Sequence, residues 1–381
     1  MKKIFILMNS MNVAGTAKSL IELLKVLPLD VFEVHLGLIH AKGPFMEQIP
    51  QGIHIHELPK PRGNKETFFS LIKNFHWIDA SLFILLWIYN KYSRNDYRLY
   101  HYRYRNISDN NGYFDLAVAY THRCIYYLCE KVDAKVKCCW IHQDVTVPEN
   151  RIRYKMTEKY YRCMDKIFVV SEEGKARFDS VFPQIKDKTD VFHNITPVDH
   201  VIKMAKIGDS FNDDFDGKRL LTVGRIHPQK GLLLAIKALR ILLDKGHHVN
   251  WYIIGGEIGN DYYKECMELA TQENVAEHLI FLDVQMNPYR FMQDCDVYVQ
   301  PSLWESFCIT LAEALCFGNP IVCTNFCGVE QMKGRTNGYI TEMTATSLAD
   351  GIIKALNDKK IDVSPIQKQP DIDKLMQLFN N

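Results

Sequence analysis

Two short stretches of this 381-residue chain combine residue types suited to holding a diphosphate and a set of hydroxyl groups. The first, Leu221-Thr222-Val223-Gly224-Arg225-Ile226-His227-Pro228-Gln229-Lys230-Gly231, reads as a strand ending at Gly224, a loop, and a helix starting at Gly231. Glycine at a strand end lets a phosphate approach the backbone, and a helix N-terminus adds partial positive charge. Arg225 can grip two oxygens at once and Lys230 acts as a mobile point charge, a combination that fits a diphosphate. An ordinary βα loop carrying a surface Arg and Lys would read the same way. The second stretch, Pro301-Ser302-Leu303-Trp304-Glu305-Ser306-Phe307-Cys308-Ile309-Thr310-Leu311-Ala312-Glu313, also joins a strand end to a helix. Glu305 in the loop and Glu313 near the first helical turn can accept hydrogen bonds from vicinal hydroxyls. Two plainer readings stand beside this one: Thr310 to Glu313 spells a capping box, and Glu305 suits an exposed loop.

The elements that must position these residues alternate short apolar runs with longer amphipathic ones, the pattern of βα units and parallel sheets. Strands are expected in the front half at residues 3–8, 33–39, 53–58, 116–120, 136–142, 166–171 and 190–193, with helices at 16–26, 68–92, 151–164 and 172–181. The back half repeats the style, with strands at 219–224, 249–254, 279–282, 297–300, 320–324 and 338–341 and helices at 232–244, 262–274, 288–293, 311–317 and 347–357. Residues 196–218 are polar and poorly periodic and read as a boundary between two doubly wound domains, 1–197 and 198–368. In such folds ligands collect at the carboxyl ends of the strands, and two facing domains enclose a cleft.

Composition narrows the function classes. Hydrophobic residues make up 47% and charged residues 24%, close to the globular average, which excludes a disordered or collagenous chain. With 46 Lys+Arg against 45 Asp+Glu, the chain lacks the basic excess by which nucleic-acid binders neutralise phosphates. The balance hides an asymmetry: residues 1–195 hold 28 basic and 21 acidic residues, the remainder 18 and 24. Eleven scattered cysteines without a Cys-x-x-Cys pair argue against a zinc cluster or a disulfide framework and for a reducing, cytoplasmic setting. Residues 1–8 begin like a signal peptide but soon meet Asn9, Ser10 and Asn12, and read as a first buried strand.

The segment from Trp77 to Tyr89 is apolar but short of the roughly 20 residues needed to span a membrane, and it leads into Tyr and Arg residues interleaved up to Arg105. One reading is a core helix followed by a solvated basic loop. The other is a peripheral contact with anionic lipid at the inner face of the membrane. Single-stranded nucleic acid ranks third, because no nucleic-acid module surrounds the segment.

Val223-Gly224-Arg225 with Lys230-Gly231, then Pro301-Ser302-x-x-Glu305 with Glu313 and Gly318-x-Pro320, resembles the retaining glycosyltransferases of family 4. The resemblance covers most of the back half. In the front half it extends to Asn12-Val13-Ala14-Gly15-Thr16, Ile141-His142 and His193-Asn194. It implies a GT-B fold of two Rossmann-like domains facing across a cleft, with a C-terminal helix in residues 369–381 that returns to the front domain or frays. It implies that Arg225 and Lys230, beside Gly224, bind the donor diphosphate, and that Glu313 holds the ribose. Glu305, with the backbone N–H groups of Phe307, Cys308 and Ile309, would grip the transferred sugar. Gly15 and Thr16 would form a phosphate or acceptor loop, and His142 would reach the sugar. The family commonly carries glycine where this chain has Ser306 and Cys308, so the sugar pocket differs here.

The resemblance further implies transfer from a nucleotide-sugar, by family habit a UDP-sugar, to a saccharide or lipid-linked acceptor in polysaccharide synthesis. Retention follows when the leaving diphosphate oxygen accepts the acceptor proton on the same face, with electrostatic preorganisation supplying much of the rate. His142 competes for the role of general base, because a histidine pKa can lie near neutrality. Asp214-Phe215-Asp216 and Asp294-Cys295-Asp296 spell the Asp-x-Asp of metal-dependent glycosyltransferases, in the linker and at a helix end. With two cations already facing the diphosphate, neither a metal nor another cofactor is expected. A nucleotide-sugar epimerase of the same architecture and a non-catalytic nucleotide-sugar-binding protein are the alternatives. Absence of Gly-x-Gly-x-x-Gly after any strand disfavours a dehydrogenase.

Overall fold

The computed structural model describes residues 1–12, 15–60, 62–93, 99, 102–103, 112–256, 258–363 and 371–379. The chain divides into two compact units, Met1–Ile195 with Pro370–Asn381, and Thr196–Gln369. Each is built on one all-parallel sheet, a Rossmann-like architecture.

In the front unit the strands are β1 (Lys2–Ser10), β2 (Phe32–His40), β3 (His54–Glu57), β4 (Tyr113–Ala119), β5 (Asp133–Ile141), β6 (Lys166–Val169) and β7 (Thr189–Val191). Their spatial order is β3-β2-β1-β4-β5-β6-β7. Ile4 to Met8 of β1 are all buried, as a continuous apolar run must be when helices cover both faces of a parallel sheet. Ile4 pairs with Val34 on one side and Leu116 on the other, so winding reverses between β1 and β4. The last helix, Ile372–Leu378, packs on this unit. Leu375 is buried, the Phe379 ring lies 5.0 Å from that of Phe32, and Lys374 Nζ donates to the carbonyl of Val191 at 2.5 Å.

In the rear unit the strands are β8 (Lys218–Val223), β9 (Val249–Ile254), β10 (Leu279–Phe281), β11 (Val297–Gln300), β12 (Ile321–Thr324) and β13 (Gly338–Thr341). The order is β10-β9-β8-β11-β12-β13, with the reversal between β8 and β11. The helix Leu232–Asp244 buries Leu232, Ala235, Ile236, Leu239 and Leu242, spaced as one helical stripe, against one face of this sheet. Tyr252, Tyr298 and Leu311 belong to the core on the other face.

Two expectations are corrected, and one helix had not been expected. The helix expected over residues 68–92 is two helices, Asn64–Lys73 and Trp77–Ser93, broken where Phe75 takes the left-handed φ of 60°. The polar stretch 196–218 contains a helix, Val198–Met204, because Val201 and Ala205 find a buried apolar site on the rear core. A short helix, Ile125–Lys131, follows β4 and buries Ile125 to Leu128.

At the ends of β8 and β9 two glycines touch. A Cβ on Gly255 would stand 1.8 Å from the Gly224 carbonyl oxygen, where neither strand can give way. Gly255→Ala is expected to lower the stability of the rear unit by about 3 kcal/mol or more. Gly246, at φ +80° with open space around it, should lose only about 1–2 kcal/mol on the same change. Thermal unfolding of the two variants side by side checks the contrast.

Candidate functional site

The two stretches singled out in the sequence follow β8 and β11, neighbouring strands on either side of the winding reversal, where open α/β sheets bind ligands. After β8, Arg225 is exposed and Ile226 is buried with its N–H bonded to the Gly256 carbonyl at 3.1 Å. His227 Nδ1 accepts from the Gln229 N–H at 3.2 Å and caps the turn Pro228–Lys230. Gly231 then takes φ +66°, and a Cβ there would stand 2.0 Å from the Pro301 carbonyl oxygen. The Leu303 N–H donates to the Gln229 carbonyl at 2.8 Å, so the two loops are joined by backbone as well as side chains.

Lys230 Nζ donates to Glu305 Oε1 at 2.7 Å, and both side chains are nearly buried, 13% and 10% exposed. Burial alone would pull the Lys230 pKa down; the Glu305 carboxylate outweighs it and holds the ammonium above its ordinary value. Ser302 Oγ donates to the same carboxylate oxygen at 3.0 Å, and Gln229 Nε2 to the other at 3.1 Å. Gly224 leaves the room this needs, because a Cβ there would lie 2.6 Å from Lys230 Cε.

Behind the pair runs a buried polar chain that sequence inspection missed. Gln300, fully buried at the end of β11, donates to Ser302 Oγ at 2.8 Å and accepts from Tyr298 Oη at 2.8 Å and Thr310 Oγ1 at 3.2 Å. Thr324 Oγ1 donates to the Ser302 carbonyl at 2.5 Å. The one visible signal was an amide in an otherwise apolar strand, Val297-Tyr298-Val299-Gln300.

Glu313 does not form the capping box. The helix Ile309–Ala314 starts after Cys308, which puts Thr310 inside the helix, where its hydroxyl turns to Gln300. Glu313 is buried and accepts from Tyr289 Oη at 3.1 Å. Cys308 adopts φ +63°, a left-handed backbone in which glycine carries no Cβ penalty. Its thiol is pushed up to about 12, first by burial and then by the Glu305 charge, and is protonated. The Phe307 carbonyl is held by the Gln331 side-chain amide. Glu305 is 8% exposed, so it is not an exposed loop acid.

In the front unit, Gly15 and Thr16 open the helix Gly15–Val26 at the carboxyl end of β1, while Val13 and Ala14 lie outside the described residues. His142 follows β5. Its ring lies 4.7 Å from that of Tyr120, and its Nε2 is buried with no hydrogen-bond partner among the described residues. Burial lowers its pKa to about 4 against an opposing backbone hydrogen bond at Tyr120. Burial thus favours the neutral imidazole over the imidazolium at neutral pH. Beside it, Tyr120 Oη and Ser19 Oγ are 2.6 Å apart, and Ser19 Oγ donates to Asn194 Oδ1 at 2.6 Å.

Among the described residues no group of three or more His, Cys, Asp or Glu is placed to hold a metal ion. The aspartates near the two Asp-x-Asp matches take part in surface pairing. Lys218 holds Asp296 at 2.8 Å, Arg290 holds Asp294 at 2.9 Å, and His248 lies 3.7 Å from Asp216.

Two measurements check this description. Between pH 6.5 and about 4 the unfolded chain takes up a proton at residue 142 that the folded chain refuses. Stability should therefore fall with pH across that window by up to about 1.4 kcal/mol per unit from this group. His142→Gln should flatten that part of the wild-type curve of unfolding free energy against pH. Gln300→Leu leaves Ser302, Tyr298 and Thr310 short of a partner. It should cost about 1–3 kcal/mol for each group left unsatisfied, read by denaturant unfolding.

Comparison with known proteins agrees with the geometry. Residues 205–370 match the family described as Glycosyl transferases group 1. Two uncharacterised glycosyltransferases of Methanocaldococcus jannaschii are 27% identical over 173 residues and 28% over 232, and this chain spans 41% and 57% of their lengths. A Campylobacter jejuni relative is 25% identical over 376 residues, with 95% of this chain and 92% of the relative covered. Its name is N-acetylgalactosamine-N,N'-diacetylbacillosaminyl-diphospho-undecaprenol 4-alpha-N-acetylgalactosaminyltransferase. Among solved structures, Anabaena HepE in complex with UDP and glucose superposes with a TM-score of 0.65 at 19% identity, covering 94% of this chain and 90% of that one. This is a likeness of fold. The chain thus has the GT-B fold, and residues 205–370, less than half of its length, match the glycosyl transferases group 1 family.

Proposed function

We propose that the chain is a retaining glycosyltransferase that moves a hexosyl unit from a UDP-sugar to a saccharide or lipid-linked saccharide acceptor. The setting would be cell-surface polysaccharide synthesis at the inner face of the membrane. The observation that carries this reading is the Lys230–Glu305 pair at the winding reversal of the rear sheet, joined to buried Glu313 by the short 305–313 segment. The Campylobacter relative, named for a diphospho-undecaprenol-linked saccharide, supports the acceptor class. HepE with UDP and glucose supports the donor.

The side chains divide the work as follows. An ammonium has three donors. One goes to Glu305, which leaves two for oxygens of the diphosphate. Exposed Arg225 adds a planar fork from the same loop, so two cations oppose the charge that develops as the bond from sugar carbon to phosphate oxygen breaks. Glu305 already accepts from Lys230, Ser302 and Gln229 and keeps about one open lone pair on Oε2 for a sugar hydroxyl. The backbone N–H groups of Phe307, Cys308 and Ile309 would serve other hydroxyls, since a first helical turn has no internal acceptors for them. Glu313 would hold the ribose. The leaving oxygen takes the acceptor proton as the acceptor oxygen bonds to the sugar carbon on the same face. Neutral His142 would act as a hydrogen-bonding group, not a base. Gly15 and Thr16 would face the acceptor or a phosphate. The two cations make a metal unnecessary in this scheme.

A panel of UDP-, GDP- and ADP-sugars, read by thermal shift and hydrolysis, selects the donor, and transfer to a diphospho-lipid saccharide is then measured. Arg225→Ala should lower transfer by about 10²–10³-fold, with folding intact because the residue is exposed. Lys230→Ala should lose at least as much. Nucleotide binding without turnover would assign a sensor, and epimerised donor without acceptor would assign an epimerase. An inverted anomeric configuration in the product would overturn retention.

A further inference from the structure

The helix Trp77–Ser93 is apolar on more than the face it buries. Ala80 and Phe83 pack into a small cluster with Leu71 and Leu99, away from the main core. Ile78, Leu82, Leu85 and Tyr89, spaced four, three and four residues apart, form a second stripe that stands 44–78% exposed. Trp77 stands at the start of the helix and Trp87 on the side of Ala80 and Phe83, beyond the small cluster; both are half exposed. At the turn leading into the helix, Phe75 is 81% exposed. A helix apolar nearly all round needs a partner on each side, and a contiguous exposed apolar patch of this kind marks a contact surface.

The chemistry of the surroundings selects the partner. Across residues 60–105 the sequence holds nine Lys and Arg against three Asp and Glu. Of these, Lys65 and Lys73 stand exposed on the preceding helix, Asn64–Lys73. Two copies of so basic a segment would repel each other, whereas anionic headgroups attract it. Tryptophan and tyrosine suit the boundary between headgroups and acyl chains, with an apolar ring and a polar N–H or O–H. The helix has 17 residues, and no described helix is long and apolar enough to cross a bilayer, so the geometry is that of a helix lying in the interface plane. We propose that the helix pair Asn64–Ser93 seats the front unit on an anionic lipid surface, through the stripe Ile78, Leu82, Leu85 and Tyr89 and the exposed lysines of the preceding helix. The proposal deepens the membrane setting of the proposed function, and its test, made without donor or acceptor, can fail while the transferase reading stands.

The test is flotation of the full chain, without donor or acceptor, with vesicles of phosphatidylcholine alone or mixed with phosphatidylglycerol. Wild type should float with the anionic vesicles and bind the neutral ones at least tenfold more weakly. Ile78→Glu with Leu85→Glu should weaken binding at least tenfold at unchanged melting temperature, both side chains being exposed. Lys65→Gln with Lys73→Gln should weaken it about fivefold per lysine at low salt and much less at high salt. The lysine pair keeps the test decisive should the double glutamate variant unfold. Wild type that stays with the unbound fraction, or glutamate and glutamine variants that float like wild type, would overturn the proposal. So would a dimer in light scattering that the glutamate pair dissociates while vesicle binding is absent, which would give the stripe to a second copy.

Discussion

The rear unit is organised around one buried ion pair. Placing Lys230 and Glu305 2.7 Å apart with little solvent removes two charges from water, which their mutual attraction offsets only while both remain and both are hydrogen-bonded. Removing either partner of such a pair costs about 3–5 kcal/mol, because the other is left as an uncompensated charge. The surrounding structure is shaped by that requirement. Gly224 makes room for the lysine stem, Ser302 and Gln229 complete the carboxylate, and Gln300 holds Ser302 from behind. Each group is satisfied by the next, as a polar network in a low-dielectric site must be.

In the proposed function that arrangement would stand ready before a charged ligand arrives. The ammonium is fixed by Glu305 and keeps donors to spare, so a diphosphate bound there would need little reordering. The nearby Cys308, held at a left-handed φ and with a protonated thiol, contributes backbone shape and bulk, not reactivity. Its side chain sits at a left-handed backbone position beside Glu305, which makes it the natural place to look for sugar selectivity in the proposed reaction.

The front unit uses the same sheet for other purposes. The carboxyl ends of its β1, β4 and β5 bring Gly15, Tyr120 and His142 to one edge of the sheet, and burial keeps the imidazole uncharged. The insertion between β3 and β4 departs from the core plan, building its own small cluster and leaving its other face open. The helix expected there is present but exposes Ile78 and Leu85 instead of burying them in the main core, and Arg94, Arg98 and Arg105 lie outside the described residues.

Sequence alone determined the alternation of strand and helix, both sheets' membership in the parallel class, and the two loops that carry charge. These depend on apolar periodicity and on local glycine and cation spacing, all of which are written in consecutive residues. It did not reveal that the helix over residues 68–92 breaks at Phe75, or that residues 198–204 are helical, since both depend on what packs against them. The capping-box spelling at Thr310 was overridden because the positive φ of Cys308 starts the helix one residue before that threonine. Gln300 was passed over because one amide in an apolar run has no meaning until its partners are known. Lys230 and Glu305 stand 75 residues apart, and only the adjacency of β8 and β11 at the winding reversal makes them neighbours. Tertiary structure decides such pairs because chain connectivity sets which loops exist, whereas strand order sets which of them meet.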